Sequence, residues 1–382
     1  MISEVQSKMV GLIRASLWGE QVSGLTAGWD EIEELGKHAI IAIPATILSE
    51  LSIAADIRNN WKRVIIDQVS CFTKYQHEQA NLPITVPYLV LKGMAAAKYY
   101  SHPEYRTMGD IDILTRKEDY ETACAMLLGN GYQEMTQENE EDFGRHRSFT
   151  RSGIVIEVHA YFALLRDPKK GELLDKILVE NMNGTHYLPD LPNGLSLLDH
   201  INQHMAGGLG LRQIIDWMLF VNKCLPDEKW PEFQEMARMV GLETLAITTT
   251  RMCELYLGLP ERKWCAKADK ALCQELMEYV LACGNFGNKR GGENSQGEGF
   301  FAYVKSIGTF FHLLHMRGMV NWPAAKRHVW LRPFAWIYQF FRYLVKGLGR
   351  DKAVFKLKKE YAAAKKKNNL LDRLEVRRDS DW

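Results

Sequence analysis

The chain has no two cysteines at C-x-x-C spacing, and its seven cysteines (Cys71, Cys124, Cys224, Cys253, Cys265, Cys273 and Cys283) are scattered and odd in number. That argues against a disulfide framework or a zinc ribbon and leaves free thiols in a reducing compartment, with no disulfide partner expected. There is no window of about 20 apolar residues free of charge, the minimum for a spanning helix. The nearest, Val329 to Leu348, is interrupted by Arg332, Pro333, Arg342 and Lys346. Met1 is followed by Ile-Ser-Glu-Val-Gln, with neither a basic nor an apolar leader, so no signal peptide is expected and the cytoplasm is the expected compartment. There is no internal repeat. There is also almost no net charge: +1 over 382 residues, so the molecule as a whole carries no polyanion signal.

What is present is ordinary globular material, 46% hydrophobic and 25% charged, in a chain long enough for two or three domains. Mixed three- and four-residue apolar spacings make residues 1–80 a helical region. Two prolines in Asn81-Leu-Pro-Ile-Thr-Val-Pro87 close it. Residues 81–190 change character. Strands are expected at Tyr88–Leu91, Ile111–Leu114 and Tyr132–Met135, and a hairpin at Ser148–Thr150 and Ile154–Val158 around Arg151-Ser152-Gly153. Helices are expected at Gly93–Tyr100 and Lys117–Leu128, with an acidic loop at 138–142. Residues 191–283 are helical again, residues 284–299 are a Gly-rich loop, and residues 300–382 are aromatic and basic helices. The fold class is therefore α+β: a small mixed sheet with helices, flanked by N- and C-terminal helical regions.

The chemistry concentrates in Met108-Gly109-Asp110-Ile111-Asp112-Ile113-Leu114. On a strand both carboxylates point to one side while the isoleucines enter the core. Carboxylates so close repel unless a cation or proton lies between them, and hard oxygen ligands suit Mg²⁺. Leu89-Val90-Leu91-Lys92-Gly93 lies upstream, and Ile156-Glu157-Val158-His159 brings a third acid on a later strand.

Together with Arg106-Thr107, Gly131-Tyr132 and, more weakly, His200-x-x-x-His204 and Gly210-Leu211-Arg212-x-x-x-Asp216, these motifs resemble the bacterial uncharacterised nucleotidyltransferase family, a branch of the polymerase-beta-like nucleotidyltransferase superfamily. The resemblance spans about residues 89–216. It implies a polymerase-beta-like nucleotidyltransferase module and Mg²⁺-dependent transfer of an NMP from an NTP to an acceptor hydroxyl, with Mn²⁺ as the substitute metal. Asp110, Asp112 and Glu157 would be the metal ligands and catalytic acids. Lys92, Gly93, Arg106, Gly109, His159 and Arg212 would face the nucleotide. The acceptor is left open among a small molecule, a protein and an RNA. Where the superfamily has Gly-Ser or Gly-Gly, this chain has Gly93-Met94, so Lys92 would supply charge in place of a hydroxyl.

Each residue also has a plainer reading. The two aspartates could be exposed acids of an edge strand, and Glu157 could face solvent. Arg106 could clamp phosphate or brace the carboxylates. Arg145, His146 and Arg147 could contact phosphate or belong to a solvated loop. His200 and His204 stand at metal-ligand spacing without the glutamate of an HExxH motif, and fit a packed helix face better than zinc. Arg212 and Asp216 could be a helical i, i+4 pair. Between Arg342 and Arg378 there are 13 Lys/Arg and 4 Asp/Glu, a local +9. Such a basic amphipathic segment could contact an anionic surface at the inner face of a membrane, or RNA, or remain a solvated helix. Two other functions thus stand beside catalysis: a nucleotide-binding scaffold without turnover, and a peripheral membrane or RNA factor acting through this segment.

Overall fold

The computed structural model describes residues 2–21, 53–135, 145–182, 184–283, 307–322, 324–349 and 353–376, with Thr46, Leu48 and Leu51. The acidic loop at 138–142 and the Gly-rich loop at 284–299 lie outside the described residues. Contacts group the described residues into two units, one within 1–289 together with 374–376 and one within 290–373.

In the first unit, α1 (Glu4–Trp18) starts on a capping box in which Ser3 and Gln6 satisfy each other's backbone N–H groups. The long helix α2 (Ala55–Ala80) leads to the sheet. Five strands follow: β1 (Tyr88–Leu91), β2 (Ile111–Thr115), β3 (Gln133–Glu134), β4 (His146–Arg151) and β5 (Ile154–His159). Their order is β1-β2-β5-β4-β3, with β2 and β5 parallel and the other neighbours antiparallel.

Strand parity divides the sheet into two faces. Ile111 and Ile113 of β2, with Ile154, Ile156 and Val158 of β5, pack against Phe72 and Tyr75 of α2 and against Ala123, Cys124 and Leu127 of α4 (Tyr120–Gly129). Each fully buried side chain of this size contributes about 1.5–3 kcal/mol. The opposite face carries Asp112 and Leu114 beside Glu157 and His159.

Between β1 and β2 stands α3 (Gly93–Ala97), a single turn, shorter than the helix expected to Tyr100. The chain leaves it because Tyr99 and Tyr100 are held by later helices. Asn193 Nδ2 donates to the Tyr99 hydroxyl (2.8 Å), and the Tyr100 hydroxyl donates to Asp216 Oδ1 (2.8 Å). After the sheet come α5 (Pro168–Glu180), α6 (Asp190–Gly207), α7 (Leu211–Cys224), α8 (Trp230–Val240), α9 (Glu243–Leu257) and α10 (Lys270–Cys283). Residues 211–221 of α7 are buried on every side, as for a central helix. It passes close to α6: a Cβ built on Gly194 would lie 2.4 Å from the Phe220 ring.

In the second unit, α11 (Ile307–Asn321), α12 (Ala324–Arg327), α13 (Arg332–Gly349) and α14 (Ala353–Arg373) follow one another. Met319, Ala325 and Ala335 form a small core with Trp322, Leu331 and Trp336 packed on it.

Candidate metal and nucleotide site

The parallel register of β2 and β5 sets Asp112 directly beside Glu157, and Leu114 beside His159. The antiparallel register of β4 and β5 sets His146 opposite His159. The hairpin turn fixes that second register: Ser152 and Gly153 both have positive φ, 53° and 79°, the requirement of a two-residue type I′ turn.

Asp112 is buried, and its Oδ1 is shared. Lys92 Nζ approaches to 2.8 Å and His159 Nε2 to 2.9 Å. Its Oδ2 is also buried and has no hydrogen-bond partner among the described residues. Glu157 Oε2 lies 3.5 Å from His159 Nε2, and Glu157 Oε1 lies 3.9 Å from His146 Nε2. The Glu157 side chain is 24% exposed and the Asp112 side chain 0%, so Glu157 is the acid that meets solvent. Asp112, Glu157 and His159 are the one group of three metal-ligating side chains among the described residues, their donor atoms within 4.8 Å of one another.

The electrostatics follow from this crowding. Burial opposes ionisation of Asp112, but the Lys92 ammonium and the His159 hydrogen bond hold its carboxyl well below the usual range. Burial likewise opposes the Lys92 charge, and Asp112, Asp110 and Glu157 outweigh it, keeping the ammonium above its ordinary pKa. For Glu157, burial raises and the His159 hydrogen bond lowers, with the net downward.

Lys92 also has backbone strain. It sits at φ 52°, ψ −131°, in a region L-residues avoid. Such a conformation costs about 1–3 kcal/mol and persists where the surroundings demand it. Here the demand comes from the turn that leaves β1 and carries the side chain back over the sheet, with Nζ 5.4 Å from the Phe162 ring centre. Gly93 follows because the loop before β2 is close: an added Cβ would lie 3.1 Å from Met108 Cε and 3.5 Å from the Asp110 carbonyl oxygen. Met94 is half-buried against the sheet core. With only one turn, α3 brings little helix-dipole charge to a phosphate.

Asp110 lies one residue before β2, at the entrance to the cluster and outside the group of three. Burial, then the Asp112 charge, pushes its carboxyl up to about 6, against the pull of Lys92 and Arg212. Its loop is clamped from two sides. From α2, Gln68 Nε2 donates to the Arg106 carbonyl (2.6 Å) and the Tyr75 hydroxyl donates to the Gly109 carbonyl (2.9 Å). From α7, Arg212 Nη1 donates to the Thr107 carbonyl (3.2 Å) and comes 3.5 Å from where a Gly109 Cβ would stand.

Arg106 is buried and bidentate on Asp216, at 2.8 and 2.7 Å, with Tyr100 on the same carboxylate. The carboxylate it meets is Asp216 of α7, outside the Asp110–Asp112 pair. Asp216 thus holds Arg106, and its charge also acts on Arg212 one turn away. His159 is buried on Asp112, which puts it with the metal-ligating side chains. Arg145 Nη2 donates to the Phe162 carbonyl (3.0 Å) and to Gln203 Oε1 (2.8 Å), tying the loop after β5 to α6. Arg147 pairs with Glu134 at the sheet edge. His200 and His204 pack ring to ring at 4.7 Å, and burial holds His200 well below its ordinary pKa, as a neutral packed ring.

The donor set fits a divalent cation. The buried Oδ2 of Asp112 lacks a partner among the described residues, Glu157 offers carboxylate oxygens at the solvent side, and His159 Nε2, if a cation displaced its proton from the hydrogen bond to Asp112, would add a nitrogen that suits Mn²⁺ better than Mg²⁺. Comparison with known proteins gives one match: the model of the family described as uncharacterised nucleotidyltransferase matches residues 81–258. No curated protein and no solved structure matches the chain.

Proposed function

From the match of residues 81–258 to the uncharacterised nucleotidyltransferase family, we propose that the chain moves a nucleoside monophosphate from an NTP to an acceptor hydroxyl, releasing pyrophosphate. The observation that carries this reading is the side-by-side register of Asp112 and Glu157, with the buried Asp112 Oδ2 unpartnered among the described residues.

In the proposed reaction the acceptor oxygen bonds to the α-phosphorus as the bond to the β-phosphate oxygen breaks. A cation bound to Asp112 and Glu157 would supply charge stabilisation on the attacking and leaving oxygens. Glu157, ionised and solvent-facing, takes the acceptor proton, and His159 orients both acids through Nε2. Asp110 adds a third carboxylate at the triphosphate side, where it ionises once positive charge is near. Lys92 and Arg212 bring fixed positive charge to the same side, and Lys92 stands in for the hydroxyl that Met94 does not offer. The Arg106–Asp216 pair, with Gln68 and Tyr75, holds the 106–110 loop so that these groups keep their spacing. The substrate is an NTP, and the cation is Mg²⁺ or, with the imidazole included, Mn²⁺.

A nucleotide-binding scaffold without turnover is the reading that Lys92 favours, because its ammonium already balances Asp112. The two readings separate by Mn²⁺ binding followed by electron paramagnetic resonance with and without NTP. The catalytic reading expects Mn²⁺ to bind the wild type, more tightly with NTP, and to be lost in Asp112→Asn. Equal Mn²⁺ binding by wild type and variant overturns it.

A further inference from the structure

One face of helix α13, spaced at i, i+3, i+4 and i+7 from Arg332, is mixed in polarity and turns Ala335, Trp336 and Gln339 toward α11. Trp336 Nε1 donates to His315 Nδ1 (3.2 Å), Asn321 Nδ2 donates to Gln339 Oε1 (2.9 Å), and a Cβ on Gly318 would lie 3.1 Å from the Ala335 carbonyl oxygen. Phe334, Ile337, Tyr338 and Phe341 repeat the same spacing on the other side and are 47–58% exposed. The turn just before the helix adds Trp330 at 69% and Val329 at 65%. A contiguous exposed apolar patch of this kind marks a surface that meets a partner or a membrane.

The charge around this face is of one sign. Residues 301–350 contain eight Lys/Arg and no Asp/Glu. No helix among the described residues is long and apolar enough to cross a membrane. We propose that this aromatic face lies in the interface of an anionic lipid bilayer. Trp, Tyr and Phe sit well at headgroup depth, and a surface with arginine and lysine but no acid is drawn to anionic headgroups. A second copy of the chain would bring two basic surfaces together, which opposes self-association through this face. The patch lies mostly N-terminal to the basic segment 342–378, so the apolar anchor and the main charge reservoir adjoin in sequence.

The test is co-sedimentation of the full chain with phosphatidylcholine vesicles, with and without phosphatidylglycerol, for the wild type and Phe334→Ser/Phe341→Ser. Both side chains are exposed, so the variant keeps its melting temperature. The wild type sediments with the anionic vesicles and much less with the neutral ones, less so at high salt. The variant partitions at least about tenfold more weakly. Failure to sediment with anionic vesicles, equal sedimentation of wild type and variant, or equal binding to neutral vesicles overturns the proposal. So does a concentration-dependent dimer, or RNA binding, that the same two substitutions abolish.

Discussion

Replacing Lys92 with methionine keeps the length of the side chain and removes its charge. In the wild type, Nζ is 2.8 Å from Asp112 Oδ1, with the lysine side chain 10% and the aspartate side chain 0% exposed. Breaking a buried pair from one side costs about 3–5 kcal/mol, because the remaining ion is left without its partner. His159 still donates to Asp112, so the lower end of that range is expected. At about 2–4 °C per kcal/mol for a unit of this size, the variant melts roughly 6–12 °C below the wild type in a chelator. A divalent cation then replaces the missing charge. At a concentration about a hundredfold above its Kd it returns about 2.7 kcal/mol, most of the loss. Differential scanning fluorimetry in EDTA, Mg²⁺ and Mn²⁺ reads all three values, and the cation raises the variant more than the wild type. A variant as stable as wild type in EDTA, or one whose loss no divalent cation restores, would refute the idea that Lys92 and the cation share the charge of Asp112.

Other outcomes follow from the same coordinates. Asp112→Asn and Glu157→Gln each lower nucleotidyl transfer by at least about a hundredfold in a turnover assay. Asp216→Asn removes the negative charge that partners the buried Arg106 guanidinium and costs about 3 kcal/mol in urea unfolding, with cation binding to Asp112 weakened far less than by Asp112→Asn. Gly194→Ala places a methyl 2.4 Å from the Phe220 ring and destabilises by about 1–3 kcal/mol in the same measurement. Burial pushes Asp175 up to about 6 against the two backbone N–H groups of Phe162 and Ala163 that it accepts. Its folded pKa exceeds its unfolded value, so the protonated form favours folding. That contribution is complete below about pH 4 and is lost as pH rises through about 6. Asp175→Asn flattens that part of the stability–pH curve.

Much of the sheet was legible because its signals are local. Alternation placed Ile111 and Ile113 in the core and Asp112 opposite them, and Arg151-Ser152-Gly153 marked the hairpin. The place of His146 was legible too, though only through register: a two-residue turn at 152 and 153 pairs 148 with 157 and 146 with 159. The start of β2 at Ile111 was legible as well, and it leaves Asp110 one residue before the strand and Asp112 within it. The Arg106–Asp216 pair was not, because the fold brings it together from 110 residues apart. Helix α5 was missed although Asp167 caps it and Pro168 opens it, signals that stand just beyond the last strand motif. Helix α3 ended early because Tyr99 and Tyr100 answer to α6 and α7, contacts no local propensity encodes.

The central claim is that Asp112 and Glu157 serve transfer at the α-phosphorus. The direct measurement is incubation of the chain with Mg²⁺ or Mn²⁺, a cell extract as acceptor source, and NTP labelled at either the α- or the γ-phosphate. The account predicts that α-label passes to an acceptor, that γ-label leaves as pyrophosphate, and that Asp112→Asn abolishes both. Transfer of γ-label to an acceptor, or α-label transfer that survives Asp112→Asn, would contradict it.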